Sequence, residues 1–565
     1  MYPSNSFERR AKPTPQLLRI QAEYTAEFNK LTNSQELKDT IIEPAIKFWQ
    51  SALTVRRPMS KNFYIQRQVN QLFCTDDSYY TYSENDTIFC QEHPCQTTIK
   101  CGHVDIPDKY TSECYELHNG KLDQVFPKGS GISPNDFILI IDSSNSGACD
   151  ETTLAHAASC YLDPENDRPV LGYMNYCPGK TSLEYPENRR LWGTTKHEMT
   201  HALGFTSLNY AFMRKKNGDP RTPRNPLTRK PYTKVGYIYQ PSTGTVNVFK
   251  RNWKSSAGNF TKTATVIVTP KVKLLSQQHF GCKELEGGEL EDEGFTERMG
   301  SHWESRLFSG ETMVSSSDLN SLTSPITLAY FEDSGWYNVN YEVAEKWNFG
   351  KGLGCDFVRK SCYEYADIQK SMQKDISPYC NDPGNVICTD LYSYGSCSIG
   401  IYPEQLPRMY QFFGNDSFAA ENASYYGGTD PYKNKCPTYQ YSSGIGKYKV
   451  NSYCNHQENN ENAKNFENTF IQSYGENGIC ISHGNVWTYE NKTHITRIGT
   501  NIKGTCHTYE CKSNTLYVNF DGHKVKCPTD GEVVKSNFSI SDKLYKISII
   551  CPNPQTLCKT NEESS

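Results

Sequence analysis

The chain carries 22 cysteines among 565 residues, yet no C-x2-C pair occurs anywhere in it. That absence counts against zinc ribbons, whose thiolates come from closely spaced pairs. The nearest spacings, Cys90/Cys95 and Cys506/Cys511, repeat in no ribbon pattern. There is also no apolar run long enough to span a bilayer. The opening MYPSNSFERRAKPTPQ lacks the apolar core of a signal peptide, and the closing CKTNEESS lacks a hydrophobic anchor tail, so neither signal is visible in this chain. No internal repeat of fixed period appears, which argues against solenoids and propellers. The net charge of -4 is too small to single out a class of partner. One local absence matters more: from Thr206 through Lys283 there is no Glu, and Asp219 is the only acidic residue up to Cys282.

What is present is a globular composition, 36% hydrophobic and 22% charged, on a chain long enough for two or three packed units. The cysteine count is even, with eight residues from Cys74 to Cys177, thirteen from Cys355 to Cys558 and only Cys282 between. This distribution predicts a disulfide framework formed in an oxidising compartment. Sequons beginning at Asn85, Asn259, Asn415, Asn422, Asn491 and Asn537 fit an extracellular or cell-surface location.

The apolar pattern predicts a strand over residues 16–24 and a helix over 36–53 despite Pro44. Short apolar runs predict strands at 136–142 and 168–176, with the Ala-rich 152–160 as a connection between them. Residues 189–203 have helical character and stop at Gly204, the residue type expected just past a helix end. Prolines at 220, 223, 226 and 231 then mark loop. The basic stretch after the helix and the acidic stretch 284–297 read as solvated faces or as a device steering substrate. Beyond Cys355 the chain is Cys-, Tyr-, Asn- and Gly-rich, with strand-like runs at 515–520 and 544–551.

The chemistry is concentrated in KHEMTHALGF. His197 and His201 lie four residues apart, so both imidazoles project from one helix face and can reach one tetrahedral Zn²⁺. Glu198 between them can take a proton from a water that zinc acidifies and pass it to a leaving amine. A third protein ligand is needed. A Glu on a later helix would serve in gluzincin-type enzymes, but none is available before Glu284. Compact metzincins place a His six residues after the second ligand, where this chain has Ser207. Two later histidines remain, His279 in QQHFGC and His302 in GSHWESRLFSGETM. His302 has the stronger claim, because Met313 follows in a turn-forming segment as a metzincin Met-turn would.

The pattern HExxHxxGF, a long insertion, then GSH and E-x-M resembles the leishmanolysin family of surface metalloproteases. SALTVRRP from Ser51, QHFGC, LAYFEDSGWY from Leu328, WNFGKGLGCDF from Trp347 and the terminal CPNPQTLC extend the likeness over nearly the whole chain. The resemblance implies an α+β fold. Its parts would be a metzincin-type catalytic domain (1–205) with mixed sheet and active-site helix, a central domain (206–355) carrying His302 and Met313, and a disulfide-rich β and loop domain (356–565). It implies one Zn²⁺ per chain held by His197, His201 and His302, with Glu198 as general base and protein or peptide substrates. The family's pro-segment and membrane attachment have no visible counterpart here, so any membrane or cell-surface association is not encoded in this chain. Val170, Gly172 and Tyr173 are candidates for backbone that pairs with an extended substrate. His93, His103 and His156 are expected to have no catalytic part, and His279 to pack beside Cys282. The competing reading is a catalytically inactive surface or adhesion protein on the same scaffold, against which stands the retention of Glu198. Nucleic-acid binding through the basic stretch lacks any recognised motif.

Overall fold

The computed structural model describes residues 15–58, 62–67, 79–82, 87–90, 95–118, 121–226, 228–292, 299–316, 318–414, 417–441, 450–460, 470–491 and 494–558. His93, Cys74, Asn85, Asn415 and the end of the acidic stretch lie outside them. Two compact units emerge: residues 1–249, 263–304 and 308–347 in the first, and 250–262, 305–307 and 348–565 in the second. Most of residues 1–347 falls in the first unit, while 250–262 and 305–307 fall in the second.

The first unit is built on a four-stranded mixed sheet. Its strands are β1 (Ile20–Tyr24), β2 (Phe137–Asp142), β3 (Ala155–Leu162) and β4 (Pro169–Tyr176). The order is β3-β4-β2-β1, with β2 parallel to both β1 and β4 and with β3 antiparallel at the edge. All six residues of β2 are buried, as the run FILIID requires of a strand covered on both faces. The Ala-rich segment expected as a connection is instead β3. Alanine is a weak strand former, but its small side chains let this strand lie close to the helix that follows β4, so packing overrides propensity.

Ahead of β2, the chain is helical from Ser34 to Ala52, with a π turn at Lys38–Ile42 leading into helix α1 (Glu43–Ala52). Pro44 explains the widened turn: it has no N–H to donate and its ring crowds the carbonyl of the preceding turn. Trp49 is fully buried, and its indole donates to the Lys196 carbonyl at 3.3 Å, fastening α1 to helix α2 (Glu187–Ala202). Lys196, itself buried, reaches Glu345 at 2.5 Å from the other side of α2. Two further helices, α3 (Pro270–Phe280) and α4 (Pro325–Asp333), pack on one another. The disulfides Cys95–Cys114, Cys101–Cys160 and Cys149–Cys177 staple the sheet and the segments before it.

The second unit is mostly β. Its main sheet uses β5 (Gly478–His483), β6 (Trp487–Asn491), β7 (His494–Ile498), β8 (Gly504–Lys512), β9 (Thr515–Phe520), β10 (His523–Cys527), β11 (Val533–Ile540) and β12 (Lys543–Ile550). They run β7-β6-β12-β5-β8-β9-β10, with β11 on β12. Disulfides Cys362–Cys436, Cys380–Cys397, Cys388–Cys480, Cys454–Cys506, Cys511–Cys558 and Cys527–Cys551 hold it together, and no free cysteine occurs among the described residues. The molecule is thus an α+β protein with many disulfides.

Candidate metal centre

Helix α2 ends where it must for the site to form. Gly204 adopts φ +128°, a left-handed backbone closed to other residues, and a Cβ there would lie 2.8 Å from the Trp336 ring. The chain therefore turns back sharply, and the Phe205 carbonyl comes to 2.7 Å from His201 Nδ1. One helical turn earlier, His197 Nδ1 lies 2.6 Å from the Thr312 carbonyl. The third imidazole arrives from a loop: His302 Nδ1 lies 2.7 Å from Glu291 Oε1. This loop approaches closely because residue 300 is glycine, where a Cβ would stand 2.4 Å from Glu291 Cγ. Trp303, fully buried and stacked at 5.1 Å on Phe308, anchors it.

Carbonyl and carboxylate oxygens only accept, so each Nδ1 carries the proton and each Nε2 presents a lone pair. Those three Nε2 atoms converge: His197 to His201 3.0 Å, His201 to His302 3.1 Å, and His302 to His197 3.2 Å. Three lone pairs facing one another without a proton between them need a cation. The spacing suits one, since ligands about 2.0–2.1 Å from a tetrahedral zinc sit about 3.3 Å apart. Burial, reinforced by the neighbouring His302, pushes His197 down to about 3, and burial with His197 and His302 holds His201 well below its ordinary value. Both rings are thereby kept in the neutral, ligating form.

Glu198 is buried beside the triad, and burial raises its carboxyl to about 8, a shift that a cation held by the neighbouring imidazoles would oppose by favouring the carboxylate. Met313 is fully buried in the turn that also presents the Thr312 carbonyl. That turn is tied by Glu311, which accepts from Met313 N at 2.5 Å, from Ser324 N at 3.0 Å and from Thr327 Oγ1 at 2.5 Å at the start of α4. Burial raises Glu311 in spite of these donors.

Of the residues expected from the sequence, His197, Glu198, His201, His302 and Met313 are brought together. His279 is elsewhere, on α3, stacked on Trp347 at 4.2 Å. Val170, Gly172 and Tyr173 need correcting as substrate-pairing backbone. They lie on β4, an interior strand: Gly172 pairs with Leu139 on one side and Ser159 on the other, and Tyr173 with Ile140 and Ala158. Among the described residues the sheet's open edge at this end is β3. Glu291 was not foreseen. It sits in the acidic stretch read as a solvated face, yet it is only 6% exposed. Burial alone would raise it, but His302, Ser315 and the Ser301 N–H hold its carboxylate below the usual range. All four residues of GELE (288–291) are buried, which the charge of the run masked.

A family profile described as leishmanolysin matches residues 119–564. The chain is 32% identical to a leishmanolysin-like peptidase of Drosophila melanogaster over 571 residues, covering 98% of this chain and 82% of that relative. It is 31% identical to a leishmanolysin-like peptidase of Caenorhabditis elegans over 563 residues, covering 96% and 83%. To the leishmanolysin of Leishmania tropica it is 26% identical over 339 residues, covering 60% and 41%.

Proposed function

Because this chain belongs to the leishmanolysin family, we propose that it is a zinc-dependent endopeptidase of the metzincin kind that hydrolyses peptide bonds in proteins. One observation carries the reading: three imidazoles converge with their Nε2 atoms 3.0–3.2 Å apart. His197, His201 and His302 would hold one zinc ion, with Met313 in the supporting turn. Zinc in that position supplies Lewis-acid chemistry, acidifying a water and polarising the scissile carbonyl.

The remaining work belongs to the chain's own groups. Glu198 takes the proton of the attacking water as its oxygen bonds to the carbonyl carbon, then delivers that proton to the amide nitrogen as the C–N bond breaks. An extended substrate would add to the outer edge of β3, whose inner edge is occupied by β4. The disulfides fit an extracellular or cell-surface location. The sequon asparagines Asn259, Asn422, Asn491 and Asn537 are all exposed, as glycosylation needs. No helix among the described residues is long and apolar enough to cross a membrane.

The test is Glu198→Gln in the full chain. The amide keeps the shape beside the metal but cannot accept the proton. Zinc measured by mass spectrometry should stay at one per chain, while casein hydrolysis, abolished by 1,10-phenanthroline in the wild type, falls by about 10²–10⁴. Near wild-type hydrolysis by the variant would remove Glu198 from its role, and a wild type without peptidase activity would favour the adhesion alternative.

A further inference from the structure

Away from the histidines, the first unit contains a second cluster with unmet electrostatic demand. Arg57, Asn166, Arg168, Arg214, Gly218, Gly335 and Trp336 surround a small cavity in which the centre of a water-sized sphere has about 10 Å³ of freedom. Three of these seven are guanidinium-bearing, and no carboxylate is among them. Arg214 is neutralised by Asp167 at 2.8 Å, but Asp167 also serves Arg224 at 3.1 Å. Arg168 is 1% exposed and forms no ion pair among the described residues. Its Nη1 donates to the carbonyls of Asp136, at 2.7 Å, and Pro169, at 3.1 Å.

Its remaining donors, Nε and Nη2, meet no acceptor in good hydrogen-bond geometry, and neither does the indole Nε1 of Trp336, itself 2% exposed. The Tyr337 hydroxyl lies beside this guanidinium. It donates to the Leu203 carbonyl at 3.5 Å and so turns its oxygen lone pairs toward the guanidinium, but as a neutral group it does not offset the charge. A buried cation with an open N–H, next to an open indole N–H, is costly unless something negative sits between them. Water could accept from the donors but leaves the charge uncompensated.

We propose that Arg168, Trp336 and Arg57 hold a single monatomic anion of the halide class, chloride in solution. The size of the cavity sets the upper limit, since space for about one water excludes phosphate and sulfate with their four oxygens. The anion would sit where four segments meet: the stretch after α1 that carries Arg57, the turn entering β4, the stretch after α2, and the stretch after α4. Arg214 N donates to the Ser334 carbonyl at 2.8 Å across that junction. Trp336 is also the ring against which Gly204 packs, so the anion would brace the turn that ends the metal-binding helix.

Two measurements on the full chain test this. In thermal unfolding at constant ionic strength, replacing gluconate by chloride should raise the midpoint in a saturable way, by about 3 °C. The rise should flatten in Arg168→Gln and in Trp336→Phe, the second of which keeps the ring that packs on Gly204 and removes only the N–H. Crystals grown in bromide should show an anomalous peak within hydrogen-bonding reach of Arg168 and Trp336. No peak in the cavity, or the same chloride dependence in Trp336→Phe as in the wild type, overturns the assignment.

Discussion

Two regions of the molecule bury clustered histidines, and they differ in what the rings face. In the first unit, His197, His201 and His302 each spend Nδ1–H on an oxygen, so their Nε2 lone pairs have only one another to meet. In the second unit, His483 Nε2 and His507 Nε2 both face the Thr505 hydroxyl, at 2.8 and 2.9 Å. That hydroxyl donates to one ring and accepts from the other, so the two facing nitrogens are satisfied without a cation. Burial lowers His483 to about 3 and drives His507 well below its ordinary value, much as it does for His197 and His201. Burial and suppressed titration are therefore common to both regions. Convergent lone pairs with the opposite nitrogens already occupied are what distinguish a metal centre from a packed histidine pair.

The comparison breaks most visibly if one triad member is removed. His302→Ala leaves two imidazoles on a helix, one ligand short of a catalytic zinc site. We expect loss of nearly all bound zinc, measured by mass spectrometry on the full chain, and loss of all measurable peptidase activity. His279→Ala should keep both, because that ring stacks on Trp347 and its removal costs about 0.5–1.5 kcal/mol of packing. The reverse result would transfer the third-ligand role to His279 and dissolve the geometric distinction.

A smaller effect sharpens the distinction by altering what holds a ring rather than the ring itself. Glu291→Gln keeps an oxygen opposite His302 Nδ1 but removes its charge, which makes the imidazole a weaker donor to metal. Such partners typically contribute 10–100-fold to metal affinity. Chelator competition should show zinc binding weakened by about that factor with the fold intact. An unchanged affinity would mean that Glu291 only positions the loop.

Much of this centre was legible in the sequence because it rests on local rules. The spacing of His197, Glu198 and His201 on one helix face, the stop at Gly204, and the pairing of His302 with a following E-x-M all survive translation into space. What the sequence hid depends on tertiary contacts. The Ala-rich β3 lacks the β-branched pattern of a strand and exists because small residues let it approach α2. Glu291 looks like one more surface acid until Gly300 and Ser315 are seen to close over it. Val170, Gly172 and Tyr173 have a strand-like sequence, as expected, but nothing in one strand's composition says whether it lies at an edge or between two neighbours.

The smallest expected effect concerns the histidine pair of the second unit. His483 has a folded pKa of about 3 against about 6.5 in an unfolded chain, and His507 shifts in the same direction. Below pH 6.5 the unfolded state binds protons that the folded state refuses. The stability from these rings is therefore complete above that pH and is lost as pH falls toward 3, with each ring contributing at most about 1.4 kcal/mol per pH unit. Between about pH 6.5 and 5 most carboxylates remain ionised, so histidines dominate this slope. Hydrogen exchange in peptides spanning β5 and β8 should accelerate across that window in the wild type. His507→Phe replaces a buried ring whose Nδ1 has no partner with one that cannot titrate, beside Phe520 at 4.4 Å. The variant should lose part of the acid sensitivity while its zinc content stays at the wild-type value. An undiminished acid response would mean that this pair is not what resists protonation in the second unit, and that its likeness to the triad ends at burial.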